Sequence, residues 1–238
     1  MSELDWQQIH ERLAGAAVQA GLDLVQPFGV ARYNAVAPPE ARLPDFGRPN
    51  PLGVLVGNTR QLWPVFTRAY ASDPELARSE HPLDTYVVTR LPALVRAASP
   101  ARQHLIFSHV IGPSAFPIQR LAEAIGFAAI SPSHLAIHPQ HGPWLGLRAV
   151  VVLDVAGPET ATSILERPCE RCSAPCVPAL QHALEASGTP PDSASIAAHA
   201  SDWIAVRDAC PLGKASRYGS RQLAYHYAPQ RSRILPDD

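Results

Sequence analysis

No run of apolar residues in this 238-residue sequence approaches the eighteen or so that a membrane-crossing helix needs. The N-terminal MSELDWQQIHERL is acidic and helical in pattern. It has neither the basic-then-apolar layout of a secretion signal nor a twin arginine. A cytoplasmic protein with no membrane partner is therefore expected. An excess of charge of one sign is also missing. Lys and Arg number 20 and Asp and Glu 21, a formal net charge of −1, so no broad attraction to nucleic acid is implied. The chain carries no G-x-G-x-x-G, no P-loop and no G-x-S-x-G, which removes support for the standard dinucleotide, nucleoside-triphosphate and serine-hydrolase readings. Cysteine is scarce. There are 4, and three of them fall within PCERCSAPC (168–176).

Proline is what the sequence has in excess: 25 residues, where average usage of about 5% gives roughly 12. The prolines lie mostly between apolar segments, so the chain reads as many short elements joined by stiff connections. With 46% hydrophobic residues it is long enough to bury a real core as one large domain or two small ones. Trp6, Ile9, Leu13, Ala16 and Ala20 recur at helical spacing, with Ser2 as N-cap. PLGVLVG (51–57) reads as a buried strand, and NTRQLWPVFTRAY (58–70) as a helix kinked at Pro64. DTYVVTR (84–90) and HLIFSHVI (104–111) are β-rich, with a helical LPALVRAA (91–98) between them. FPIQRLAEAIGFAAIS (116–131) opens as a helix behind Pro117 and ends in a β-prone run. PWLGLRAVVVLD (143–154) is the longest strand candidate, and VPALQHALEASG (177–188) begins a run of helices. The organisation expected is an α+β body over residues 1–155 and a mostly helical, cysteine-rich part over 156–238.

Cys169, Cys172 and Cys176 form C-x2-C-x3-C, and Cys210 opens a Cys-Pro pair in RDACPLG. In the cytosol such a set points to metal or redox chemistry before a disulfide framework. Three thiolates on one tight loop plus one Cys-Pro thiolate make a full ligand set for a 4Fe–4S cluster of the ferredoxin kind, with one gap a residue longer than usual. Four thiolates also suit structural zinc, for which C-x2-C is the common half-site, although only one cysteine stands in the second half. Four unligated thiols are the third reading. All three stay open on the residues alone.

AIHPQHGPWLGLR (136–148) is the other dense stretch. His138 and His141 have no carboxylate at ligand spacing, so a zinc hydrolase finds little support. Arg148 sits in an apolar run. If it points inward it needs an anionic partner, either a bound carboxylate or phosphate or a structural Asp or Glu. Arg217, Tyr218, Tyr225, His226 and Tyr227 read as a packed C-terminal helix rather than a stacking platform.

Four segments together resemble a known family. QPFGVARYNAVAPPEARLP (26–44), HPLDTYVVTRL (81–91), IHPQHGPWLGLRAVVVL (137–153) and RDACPLGKASRYGSRQLAYHYAPQ (207–230) are similar, in order and spacing, to the cobalamin-processing proteins of the methylmalonic aciduria and homocystinuria type C family. The resemblance implies a flavin-nitroreductase-like sheet packed with helices. It implies binding of cobalamin with its lower base detached, and reduction of cobalamin or removal of its upper axial ligand, with electrons from reduced flavin (FMN or FAD), a flavoprotein or a thiol. Carried over by position, the corrinoid contacts are Phe116, Pro117, Ile118 and Gln119 at a helix start, Ile130, Ser131 and Pro132 after that helix, and Ala136, His138 and Leu147 around the His-Pro turn. Arg148 matches the arginine associated with the thiol co-substrate, and Glu123 stands where the family has a functional histidine. The cysteine region is similar to the ferredoxin-like tails of epoxyqueuosine reductases and reductive dehalogenases. Those tails carry a second Cys-Pro directly after the first three cysteines. Leu180 in VPAL stands near that place here, so the resemblance implies one cluster acting as electron relay.

Overall fold

The structure, a computed structural model, describes residues 4–110, 112 and 115–227. Ser2, expected as the N-cap of the first helix, lies outside the described residues, and the cap is Asp5 instead. The chain divides into two units. One comprises Met1–Phe127 with Gly146–Leu165, the other Ala128–Leu145 with Glu166–Asp238. The sequence drew a single boundary after residue 155, whereas the second unit also takes in the segment 128–145.

The first unit is an antiparallel sheet packed with helices. Helix α1 (Trp6–Gln19) starts at Asp5, whose carboxylate accepts from the Gln8 backbone N–H at 2.8 Å, while the Gln8 side chain accepts from the Asp5 N–H at 3.2 Å. This reciprocal cap satisfies two N–H groups that a helix start leaves without partners. Ile9, Leu13 and Ala17, four residues apart, form its buried face. Strand β1 (Leu24–Gly29) runs into the short α2 (Val30–Asn34), and β2 (Pro51–Asn58) follows. All eight residues of β2 are buried. Such continuous burial suits the run PLGVLVGN, which has no polar face to give to water.

The helix expected over 58–70 begins only at Leu62, as α3 (Leu62–Ser72), so Pro64 falls near its start and not in its interior. Pro64 is its third residue, in the first turn, where an N–H has no intrahelical acceptor to lose. Helix α4 (Pro74–Arg78) leads to α5 (Pro82–Ala98). The β-rich reading of 84–90 is overturned here, because that stretch is the first half of α5. Val87, Val88 and Thr89 favour strands only weakly. Leu83, Val87, Leu91, Val95 and Ala98 recur at three- and four-residue spacing and are all buried, so packing of that stripe decides.

Strand β3 (Gln103–Phe107), α6 (Ile118–Ala124) and the long β6 (Gly146–Ala156) complete the unit. The sheet order is β1-β2-β6-β3, every pair antiparallel. β2 and β6 are the central pair, and Leu52, Val54, Val150, Val151, Val152 and Leu153 are fully buried in it. Each such side chain contributes roughly 1.5–3 kcal/mol on burial.

The second unit contains a two-stranded ribbon, β4 (Ala129–Ile130) with β5 (Ala136–Ile137), and the helices α7 (Cys176–Ser187), α8 (Ser193–Ala198), α9 (Ala200–Asp208) and α10 (Ser220–Tyr227). Two small apolar groups hold it. Cys176, Ala183 and Val206 pack with Leu135, Leu180 and Trp203, and Trp144 packs with Tyr218 and Leu223. Leu180 therefore serves as core where ferredoxin-like tails have a further cysteine.

Candidate functional site

Within the second unit all four cysteines line one pocket. Cys169 lies in a 3-10 turn, Pro168–Arg171, and the Cys172 N–H bonds back to the Cys169 carbonyl at 3.2 Å. The chain then reverses at Ala174, a non-glycine residue in the left-handed region at φ 53°, and Cys176 opens α7. A left-handed alanine costs on the order of 1 kcal/mol. That reversal accommodates the extra residue of C-x3-C and returns Cys176 to the pocket. Cys210 lies just past α9, its N–H bonded to the Arg207 carbonyl at 3.2 Å. The rest of the lining is largely apolar, including Leu135, Ile137, Pro175, Val206 and Pro211, and the space not filled by atoms is about 340 Å³, open solvent included. Ser131, Pro132 and Ser133 stand in the same wall. Ser131 and Pro132, carried over as corrinoid contacts, are thus wall residues of the thiol pocket.

All four thiols are free. Burial pushes the Cys169 thiol up from its ordinary range, and the neighbouring Cys210, Cys176 and Cys172 add to the effect. Cys210 is raised as well, first by burial and then by Cys176 and Cys172, against a lowering hydrogen bond from Leu212. Thiolates gathered in an apolar pocket oppose one another's ionisation. A positively charged occupant removes that opposition. The donor side chains lining the pocket are the four thiols and the hydroxyls of Ser131 and Ser133, with no carboxylate, imidazole or amine among them. Among the described residues, however, no group of three or more His, Cys, Asp or Glu side chains is placed to hold a metal ion.

The His-Pro turn closes on itself beside this pocket. His138 N–H bonds the Gly142 carbonyl at 3.0 Å and Gly142 N–H the His138 carbonyl at 2.8 Å. The His138 and His141 rings stack at 4.8 Å, and His138 Nδ1 accepts from the Gln140 N–H at 3.2 Å. Burial, with the neighbouring His141, lowers the His138 pKa to about 4, so the ring is neutral near pH 7. Arg207 donates to the Pro143 carbonyl and to Tyr227, while Arg217 makes a two-pronged contact with Asp208 at 2.6 and 2.8 Å. Both guanidinium groups approach the Trp144 ring, at 5.8 and 5.4 Å. The basic and aromatic C-terminal stretch is packing, as the sequence suggested.

The remaining carried-over residues divide between the units. Ile130, Ala136 and His138 belong to the second. Phe116, Pro117, Ile118, Gln119, Leu147 and Arg148 belong to the first. Pro117 is the N-cap of α6, Phe116 meets the Tyr33 ring at 5.9 Å, and Gln119 is exposed. Arg148 points inward. Its Nε donates to Asn58 Oδ1 at 2.6 Å and its guanidinium lies 4.0 Å from Asp84. The structural acid foreseen as one alternative is Asp84, while the closest partner is a buried amide. Sequence reading missed Asn58 and Tyr33. Asn58 ends an apolar strand, and only its complete burial marks it. Tyr33 carries a buried hydroxyl with no hydrogen-bond partner among the described residues.

No family model matches the chain. The cyanocobalamin reductase / alkylcobalamin dealkylase of Bos taurus is 29% identical to it over 233 residues, covering 88% of this chain and 75% of the relative. The chain resembles the cobalamin-processing proteins. The C. elegans B12-trafficking protein CblC, a human MMACHC homologue, matches in fold with a TM-score of 0.68 at 18% identity, over 96% of this chain and 93% of the other. Epoxyqueuosine reductase from Bacillus subtilis matches with a TM-score of 0.52 at 11% identity, over 97% of this chain and 69% of the other. These two likenesses establish the mixed α+β fold. Among the described residues no helix is long and apolar enough to cross a membrane.

Proposed function

We propose that this chain is a cytoplasmic, corrinoid-binding redox protein that reduces cobalamin or removes its upper axial ligand, with Cys169, Cys172, Cys176 and Cys210 holding one 4Fe–4S cluster. The observation that carries the proposal is the convergence of Cys210 with Cys169, Cys172 and Cys176 on one pocket in a chain similar to a cobalamin reductase. The donor set fits the group. Soft sulfur ligands without a carboxylate select a cluster or zinc. Around a single zinc, thiolate sulfurs at about 2.3 Å from the metal crowd to within about 4 Å of one another. Four thiols lining one pocket are a donor set that either group takes, and their ferredoxin-like order in the chain favours the cluster. When bound, such a cluster supplies single electrons over a wide range of negative potentials. The chain's own contribution is to shelter it, with Leu135, Ile137 and Val206 excluding water from the sulfur ligands.

The corrinoid contacts proposed, carried over by position, are Phe116–Gln119, Ile130, Ser131, Pro132, Ala136, His138 and Leu147, with Arg148 serving a thiol co-substrate through its guanidinium. Electrons are proposed to come from a reduced flavin, a flavoprotein or a thiol, and the sheet of the first unit to be of the flavin-nitroreductase type. The test is anaerobic purification, iron, sulfide and zinc analysis, and titration with cobalamin. Brown protein with four irons per chain and a shifted cobalamin spectrum is the expected result. Colourless protein with one zinc per chain removes the cluster, and an unchanged cobalamin spectrum at saturating protein removes the corrinoid.

A further inference from the structure

We propose that the turn His138–Gly142 is the positioning device for Cys210, the thiol that the sequence separates from the other three. The inference rests on reading the four cysteines as one metal site. Cys169, Cys172 and Cys176 share one loop, so their mutual placement is local. Cys210 has no such guarantee. Its place depends on α9, whose Arg207 carbonyl receives the Cys210 N–H at 3.2 Å, and on the loop Pro211–Gly213 that follows.

That loop and the turn meet backbone to backbone. Gly142 and Gly213 both have positive φ, 55° and 70°. A Cβ on Gly213 would fall on the His141 carbonyl oxygen, and one on Gly142 on the Leu212 carbonyl oxygen, each far inside contact distance. These obstacles are backbone atoms, which cannot rotate away as a flexible side chain can. A side-chain tie reinforces the dock: His141 Nδ1 and Ser216 Oγ lie 2.8 Å apart. Ile137, directly before the turn, and Pro211, directly after Cys210, both line the thiol pocket. A methyl group on either glycine must therefore push the loop off the turn, and Cys210 moves with the loop while the other three cysteines stay.

The chain supplies its own control. Gly188, in the same unit, also has positive φ, at 85°, but a Cβ there meets nothing within 4 Å. Gly188→Ala brings the backbone penalty without the collision. Each cysteine of the full metal-free chain is followed by mass spectrometry during alkylation with N-ethylmaleimide, in wild type, Gly142→Ala, Gly213→Ala and Gly188→Ala. The two interlocked variants are expected to raise labelling of Cys210 several-fold and leave the other three at the wild-type rate, while Gly188→Ala matches wild type. In the iron-loaded proteins, Gly213→Ala is expected to show the three-iron EPR signal that Cys210→Ser shows. Wild-type labelling of Cys210 together with a full iron count in both interlocked variants overturns the inference, as does an identical response from Gly188→Ala. If no variant or wild type takes up iron but Gly213→Ala still frees Cys210, the cluster reading fails and the positioning inference stands. Should the glycine variants not fold, Ser216→Ala removes only the side-chain tie. Faster labelling of Cys210 then supports the inference, and an unchanged rate overturns it.

Discussion

The two units are held together by different means. In the first, strand β2 buries every one of its eight residues and pairs with the eleven-residue β6, so the centre is a continuous apolar sheet. In the second, the strands are two residues long, the buried apolar side chains form small groups around Cys176 and Trp144, and charged braces such as Arg217–Asp208 stand close by. A sheet of that kind is stable on its own apolar burial. A helical unit with so little core depends on whatever ties its loops together, and the thiol pocket is where its loops meet. If the four thiols hold the proposed metal, its occupancy is expected to control the second unit and to leave the first nearly untouched.

The sharpest way to break the comparison is to empty the pocket. Emptying the proposed metal site with a chelator, or Cys210→Ser, is expected to produce the largest change, a loss of amide protection through α7 and α9 with the β2–β6 pair still protected. Hydrogen exchange followed by mass spectrometry reads both at once, and equal loss in the two units would erase the distinction. Next in size is a cavity in the sheet. Leu55, 1% exposed, is predicted to cost about 2–5 kcal/mol on Leu55→Ala. Denaturant unfolding measures the cost, and the metal content should stay at the wild-type value.

Acid tests the second unit through His138. Its folded pKa of about 4 lies below the ordinary 6.5, so above pH 6.5 both folded and unfolded forms carry a neutral ring and the stability is fully present. As pH falls from 6.5 toward 4 the unfolded chain takes up the proton first, and stability is lost over that window, by less than the full shift implies because the ring is partly exposed and screened by solvent. His138→Gln should flatten the loss seen when denaturation midpoints at pH 7.5 and 4.5 are compared. Smallest is the cap of α1. Asp5→Ala removes the acceptor for the Gln8 N–H and should cost about 1 kcal/mol, confined to the first unit and visible as a lower thermal midpoint.

Much of the first unit could be read directly. PLGVLVG and PWLGLRAVVVLD announced their strands because an uninterrupted apolar run has nowhere to lie except inside. The stretch 84–90 misled because β-branched residues score as strand, while the stripe Leu83, Val87, Leu91, Val95 that makes it a helix becomes visible only over a longer window. At the candidate site the cysteine loop was legible as a cluster of thiols, and the structure brings Cys210 into the same pocket. Ser131 and Pro132 were read as corrinoid contacts, and the structure shows them in the wall of the thiol pocket, a placement that depends on a ribbon too short to leave a pattern.

By itself, then, the sequence determined the four thiols and their spacing and the resemblance to cobalamin-processing proteins, because residue type and local spacing are properties of the chain. Only the tertiary structure decided that Cys210 shares a pocket with the other three, that segment 128–145 belongs with the C-terminal helices, and that Gly142 and Gly213 meet. Those facts are contacts between segments far apart in the chain, settled by how backbone surfaces fit, and no local pattern encodes them.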